Sequence, residues 1–252
     1  MNAKRSNLWR TVGNTTIALL FYSGALVFFF ARIDYNWDWR GVWEFRTKLL
    51  QGWVATLLVS SGALVLSAAI GALLVLLQRA PFGAVRLIAR WYVELIRGTP
   101  LLVQILIFFY VIANAVGVDN RFVAGMIILA MFAGAYIGEI LRGGVESVAA
   151  SQLDAARAVG FDAGQTWRFV ILPQALRQSL PALAGQFVSL VKDSSLLSVI
   201  AIGEFTLNVR EVNNFTSGAF EGFLPLAIGY LIITLPISLW SRSLEERFRY
   251  ET

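Results

Sequence analysis

Hydrophobic residues along the chain gather in long blocks rather than in short or alternating runs. Uncharged stretches occupy 11–31, 52–78, 98–118, 122–138 and 222–241, each near the ~20 residues a helix needs to cross ~30 Å of hydrocarbon. A further stretch, 178–203, is interrupted only by Lys192 and Asp193. The pattern predicts crossings near 14–31, 53–77, 99–117, 122–141, 181–203 and 223–241, an all-α membrane protein of six transmembrane helices with both ends on one side. The first block follows Lys4, Arg5 and Arg10 as a secretory signal would. It is read as a span because it outruns an h-region of ~7–15 residues and Phe29-Phe30-Ala31 makes a poor cleavage site.

Two polar segments are patterned as well. Between the fourth and fifth crossings, 142–180 reads as two short helices. The first, 146–159, is alanine-rich and closes at Gly160, where a C-terminal cap favours a residue that tolerates positive φ. The second opens on Asp162 with Gln165 in capping-box position, and stops or kinks at Pro173. This is either an amphipathic hairpin on the membrane surface or a projection gripped by another protein. Upstream, Arg86, Arg90, Glu94 and Arg97 stand opposite Leu87, Ile88, Trp91 and Leu95 at helical spacing, predicting an interfacial helix over 85–97. Thr99 and Pro100 then make an N-cap and first-turn pair for the third span.

Composition narrows the chemistry. Of 252 residues, 57% are hydrophobic and 15% charged, which excludes an ordinary soluble domain, where roughly a quarter are charged. Cys and His are absent, so zinc sites, disulfides and imidazole or thiol catalysis are excluded, and no metal-ligating or catalytic set is expected. No phosphate-cradling G-x-x-x-x-G-K-[ST] or G-x-G-x-x-G occurs, so any nucleotide energy comes from another chain. The net charge of +5 reflects orientation rather than nucleic-acid binding. Lys4, Arg5, Arg79, Arg86, Arg90, Arg142, Arg157, Arg242 and others fall on the side of the termini. The opposite side holds only Arg32, Arg40, Arg46, Lys48, Arg121 and Arg210, which puts both termini in the cytoplasm. Trp37, Trp39, Trp43 and Trp53 crowd the outer segment at headgroup level.

Polar groups inside spans are expensive. Lys192 and Asp193 each cost on the order of 2.5–3.5 kcal/mol on insertion scales, so both should face protein or a water-filled cavity. With Ser194 and Ser195 they could meet a zwitterionic amino acid, or they could serve structure, bound to backbone or to a second subunit. A helix that breaks at Thr99 offers free N–H groups to a substrate carboxylate, with Gln104 one turn in; a capped entrance with only a packing role is the alternative. Glu139 and Arg142, at i and i+3, should pair as a structural or gating contact.

Asp154-Ala155-Ala156, Gly160, Val170, Leu172 and Pro173 resemble the EAA loop of importer permeases in the ATP-binding-cassette superfamily, E-A-A-x(3)-G-x(9)-I-x-L-P, with Asp for Glu and Val for Ile. The strings Arg97-Gly98-Thr99-Pro100-Leu101-Leu102-Val103-Gln104, Ala135–Gly144 and Lys192-Asp193-Ser194-Ser195-Leu196 resemble the polar amino-acid branch of that family. The resemblance covers about 50–240. It implies a type I importer fold: a five-span core over 49–241 with a cytoplasmic coupling loop at 143–180, followed by a cytoplasmic tail over 242–252; the first span and external Trp-rich segment over 1–48 lie outside the resemblance and look like an addition to that core. It further implies that Asp154, Ala155, Ala156, Gly160, Leu172 and Pro173 dock a cytoplasmic ATPase dimer. Thr99, Gln104, Lys192, Asp193, Ser194 and Ser195 are the candidate substrate-binding residues. The partners implied are that ATPase, a second permease subunit of the same or a related kind, and an external amino-acid-binding protein, with the bilayer as solvent. ATP and magnesium would be bound by the ATPase, leaving no cofactor in this chain, and the setting would be a bacterial inner membrane. The rivals are an ion-coupled secondary transporter, for which no paired internal repeat is visible, and a membrane enzyme using Lys192 with Ser195.

Overall fold

The computed structural model describes residues 2–33, 35–218 and 220–248, and most of them are helical, with no strand among the described residues. Contacts divide the chain into two units, Met1–Asp38 and Trp39–Thr252.

The first unit is one helix, α1 (Asn2–Arg32), whose apolar part is Thr16–Arg32. Its side chains, Ile17, Leu20, Phe21, Val27 and Phe29 among them, are exposed. At its end Phe30, and beyond it Tyr35, flank the Trp37 ring at 5.4 and 5.1 Å, an aromatic cluster of the kind that settles at a membrane surface.

The second unit begins with a short turn of helix, α2 (Arg40–Glu44), and continues through α3 (Arg46–Gln78), α4 (Gly83–Gly98), α5 (Leu101–Ile107), α6 (Arg121–Glu146), α7 (Ala150–Ala158), α8 (Ala163–Thr166), α9 (Leu172–Asp193), α10 (Phe205–Thr216) and α11 (Phe223–Phe248). A π-helical segment, Phe108–Ala113, extends α5; another, Trp167–Ile171, joins α8 to α9; and a 3-10 segment, Ser194–Ile200, extends α9. Arg46–Gln78, Arg121–Glu146, Ala163–Ile200 and Phe223–Glu246 are long and apolar enough to cross a membrane, and α4 with α5, bent by 111°, makes a fifth candidate.

The core forms where α3, α5, α6 and the end of α9 meet, around Val59, Ala63, Ile105, Leu129, Leu190 and Leu197. Closeness between α3 and α6 depends on Gly71: a Cβ there would sit 2.9 Å from the Gly138 nitrogen and 2.6 Å from Ile137, too near for any side chain. Polar ties fix the neighbours. Tyr92 of α4 donates to the Met131 carbonyl (2.9 Å), Ser241 of α11 to that of Pro181 (2.9 Å), and Trp53 of α3 to that of Gly229 (3.0 Å). Trp53 thus also ties two helices together.

Three boundaries differ from expectation. The 146–159 helix begins at Ala150, because α6 runs through Glu146 and the chain turns at Ser147–Ala149. The second loop helix does not end at Pro173: helix continues from Ala163 to Ile200. The π-helical turn just before Pro173 absorbs the missing N–H, and the Gln174 side chain donates to the Val170 carbonyl (3.0 Å). Finally, α10 lies in what reads as an outer loop. Glu204 caps it, accepting from Thr206 N (2.9 Å), Leu207 N (2.8 Å) and the Tyr230 hydroxyl (3.0 Å). Burial pushes that carboxyl above its ordinary range against the pull of those donors.

Candidate functional site

The hairpin between α6 and α9 is built by local rules. The Gly160 N–H donates to the Arg157 carbonyl and the Phe161 N–H to that of Ala156, both at 3.0 Å, the paired bonds of a Schellman close, with Gly160 at φ +83°. Asp162 accepts from Gln165 N (2.8 Å) while the Gln165 side chain accepts from Asp162 N (2.9 Å), completing the capping box. Phe161 then packs near Phe169, ring centres 6.1 Å apart. Of the docking candidates, Ala156 is buried; Asp154, Ala155, Gly160, Leu172 and Pro173 are exposed. Among the described residues Asp154 pairs with Arg157 alone, at 3.3 Å. Space is open around Gly160, so its requirement is conformational rather than steric.

Two walls hold the hairpin's ends. Ser179 donates to the Ile140 carbonyl (3.3 Å), Ser147 bonds Gln178, and the Arg79 guanidinium lies 5.3 Å from the Trp167 ring centre. Beside them, a cavity of about 500 Å³ is lined by Gln78, Arg79, Arg90, Glu94, Glu139 and Arg142, among others. Arg142 grips Glu139 (2.8 and 3.0 Å) and Glu146 (2.8 Å), and Arg97 of α4 reaches the same Glu139 at 3.1 Å. The expected Glu139–Arg142 pair is thus the middle of a four-residue network tying α4 to α6. Sequence reading missed Arg97 and Glu146 there, although Glu146 stands at i+4 from Arg142.

The break between α4 and α5 is arranged differently from the expected cap. Pro100, at φ −63° and ψ 137°, precedes the first helical residue. Thr99 does not cap α5; its hydroxyl donates back to the Leu95 carbonyl (2.8 Å). Gln104, 5% exposed, turns its amide nitrogen onto the Ile96 carbonyl (2.7 Å), the Thr99 carbonyl (3.1 Å) and the Thr99 hydroxyl (2.8 Å). Its Oε1 is buried with no partner among the described residues. One side chain from α5 therefore closes the end of α4, where orphan carbonyls need donors.

Lys192 and Asp193 stand where α9 tightens into the 3-10 segment, Lys192 exposed and Asp193 partly buried, and neither forms an ion pair with a described residue. Ser194 and Ser195 donate to the carbonyls of Val191 and Lys192, both at 2.7 Å. Since α5 packs against the 3-10 segment through Leu101, Ile105, Leu197 and Ile200, the two groups of polar candidates belong to adjoining elements.

The family model for binding-protein-dependent transport system inner membrane components matches residues 65–250. Similar proteins include a probable glutamine ABC transporter permease protein GlnM of Bacillus subtilis, 34% identical over 79% of this chain and 92% of its own length. The glutamine transport system permease protein GlnP of Escherichia coli is 35% identical over 85% and 99%. Among solved structures, an amino acid ABC transporter crystallised with histidines superposes at TM-score 0.78 with 31% identity, over 84% of this chain and 100% of that one. The inward-facing MetNI methionine ABC transporter, at 0.61 and 16% identity, shares the fold.

Proposed function

Since the chain belongs to the family of binding-protein-dependent transport system inner membrane components, and so is a multi-pass membrane permease subunit of an ATP-binding-cassette importer with the type I fold, we propose that its cargo is a polar amino acid of the glutamine or glutamate kind. Membership implies a partner ATPase and a substrate-binding protein. The ion-coupled reading finds no support among these relatives.

The observation that carries the mechanism is the Gly160-capped hairpin, exposed at the end of the bundle and locked to α6 and α9 at its base. Asp154, Ala155, Gly160, Leu172 and Pro173 form the surface that the ATPase holds, with the buried Ala156 packed beneath it. That partner dimer binds ATP and magnesium, and its closure moves the hairpin as a rigid lever on α9. The permease acts as a dimer with a second, like or related subunit, switching access between the two faces. Substrate is met at mid-membrane by Lys192, Asp193, Ser194 and Ser195 together with Thr99 and the free Oε1 of Gln104. Both termini lie in the cytoplasm of a bacterial cell, and α1 adds a sixth span to the five-span core.

The test is uptake of labelled glutamine and glutamate into proteoliposomes holding the permease and its ATPase. Transport that requires ATP and binding protein and ignores a collapsed ion gradient is expected. Uptake driven by the gradient without ATP overturns the reading.

A further inference from the structure

At the end of the bundle away from the hairpin lies a second polar cavity. The helical run Ala163–Ile200 has 38 residues, about 57 Å at 1.5 Å per residue, and separates the hairpin at its start from α10 just past its end. Between the last turn of α10 and the first of α11 is a cavity of about 430 Å³ lined by Arg210, Asn213, Asn214, Ser217, Gly218 and Phe223.

The lining is one-sided in its chemistry. Arg210 is exposed and has no acidic partner among the described residues. The neighbouring acids are already engaged: Glu211 pairs with Lys48, Glu204 caps α10, and Glu221, 2% exposed, accepts from the Phe220 N–H. Asn213 is 8% exposed, and its Nδ2 is buried without an acceptor among the described residues. An amide donor left so is destabilising unless something supplies an oxygen. Ser217, held at φ 54°, and Asn214 present further polar groups at the exposed rim. The C-terminal end of α10 and the N-terminal end of α11 both abut the cavity, so their opposed dipoles largely cancel and the guanidinium sets the sign.

Resting on the importer reading above, we propose that this cavity is a socket for a carboxylate side chain of the external binding protein, with Arg210 as the charged anchor and Asn213 as the buried donor beneath it. A carboxylate supplies two oxygens, enough to engage the guanidinium and draw the Asn213 amide into a bond at once.

The experiment uses the permease–ATPase complex in nanodiscs, with ATP hydrolysis measured against concentration of a loaded binding protein that stimulates the wild-type complex. Arg210→Glu is expected to raise the half-saturating concentration about tenfold or more, to keep the basal and maximal rates, and to weaken the salt dependence; Arg210→Lys should recover part of the loss. Should Arg210→Glu assemble poorly, Arg210→Gln serves in its place. An unchanged half-saturating concentration overturns the socket alone. A wild-type complex that no binding protein stimulates overturns the importer reading and the socket with it. A phosphatidylglycerol-dependent rate that disappears in Arg210→Glu makes a lipid phosphate the occupant and also overturns the proposal.

Discussion

Two polar regions of this protein, the hairpin at Ala150–Thr166 and the break around Thr99 and Gln104, use their polar groups in opposite ways. In the hairpin, capping bonds are complete within a few residues of sequence, Asp162 with Gln165 and Gly160 with Arg157, and the outward face of small and charged residues remains available. In the break, the available groups are drawn inward: the Gln104 nitrogen and the Thr99 hydroxyl close carbonyls of α4, leaving Oε1 as the group without a bond. A self-sufficient surface suits a partner that comes and goes, whereas an inward-bonded one suits a joint that holds its angle. The contrast can be broken by substitutions that act on one role and not the other.

The largest effect is expected at Gly160. A β-branched side chain at φ +83° costs about 1–2 kcal/mol in local strain, and it need not unfold the chain because nothing packs within 4 Å of the position. Gly160→Ile should assemble in the membrane in normal amount yet reduce ATP-driven uptake to near background. Hydrolysis and uptake measured on the same proteoliposomes give the answer; full uptake removes the hairpin from the coupling path.

Next comes Lys192. In this chain it forms no ion pair with a described residue, so Lys192→Met leaves no orphaned charge here and purified yield should hold. If the ammonium meets the substrate carboxylate, uptake falls by about tenfold or more. Yield that falls together with uptake would show the charge to be held by a second subunit instead, since a buried partner left behind costs about 3–5 kcal/mol.

What was legible in the sequence follows the same division. The capping box and the glycine close are rules of neighbours, so Asp162, Gln165 and Gly160 announced themselves. The i, i+3 spacing of Glu139 and Arg142 did so too. Gln104 did not, because its acceptors are set by how α4 ends and by the 111° bend, neither of which is written in local spacing. At Pro173, expected as a stop or a kink, the missing N–H was met by a π-helical turn, so the helix ran on rather than stopping. A signal for α10 was present, with Glu204 ahead of Phe205, Val209 and Val212 at helical spacing, but a segment between two spans invited reading as loop.

Gln104→Leu should be milder than either substitution above and act on stability. It removes the donor from two carbonyls and a hydroxyl at the end of α4, an expected loss of about 1–3 kcal/mol, seen as a lowered melting temperature of the detergent-solubilised complex. Uptake also loses the Oε1 contact with substrate, but an unchanged melting temperature would leave Gln104 a ligand with no part in the joint and erase the contrast between the two regions.

The smallest effect is expected from deleting residues 2–38. The contact division places the hairpin, the break and the outer cavity all within Trp39–Thr252. The similar Escherichia coli permease is matched over 99% of its length while covering 85% of this chain, so the relative transports without a counterpart to the remainder. Within the first unit, α1 exposes apolar side chains such as Leu20, Phe21 and Phe29, a surface suited to lipid rather than to a specific groove. ATP-driven uptake per assembled complex should stay within about twofold of the intact chain, as expected when a separate unit is removed, with any loss appearing as less protein in the membrane. A deletion that assembles fully and yet transports nothing would place a working part in α1, and would make the two polar regions an incomplete account of how the permease moves.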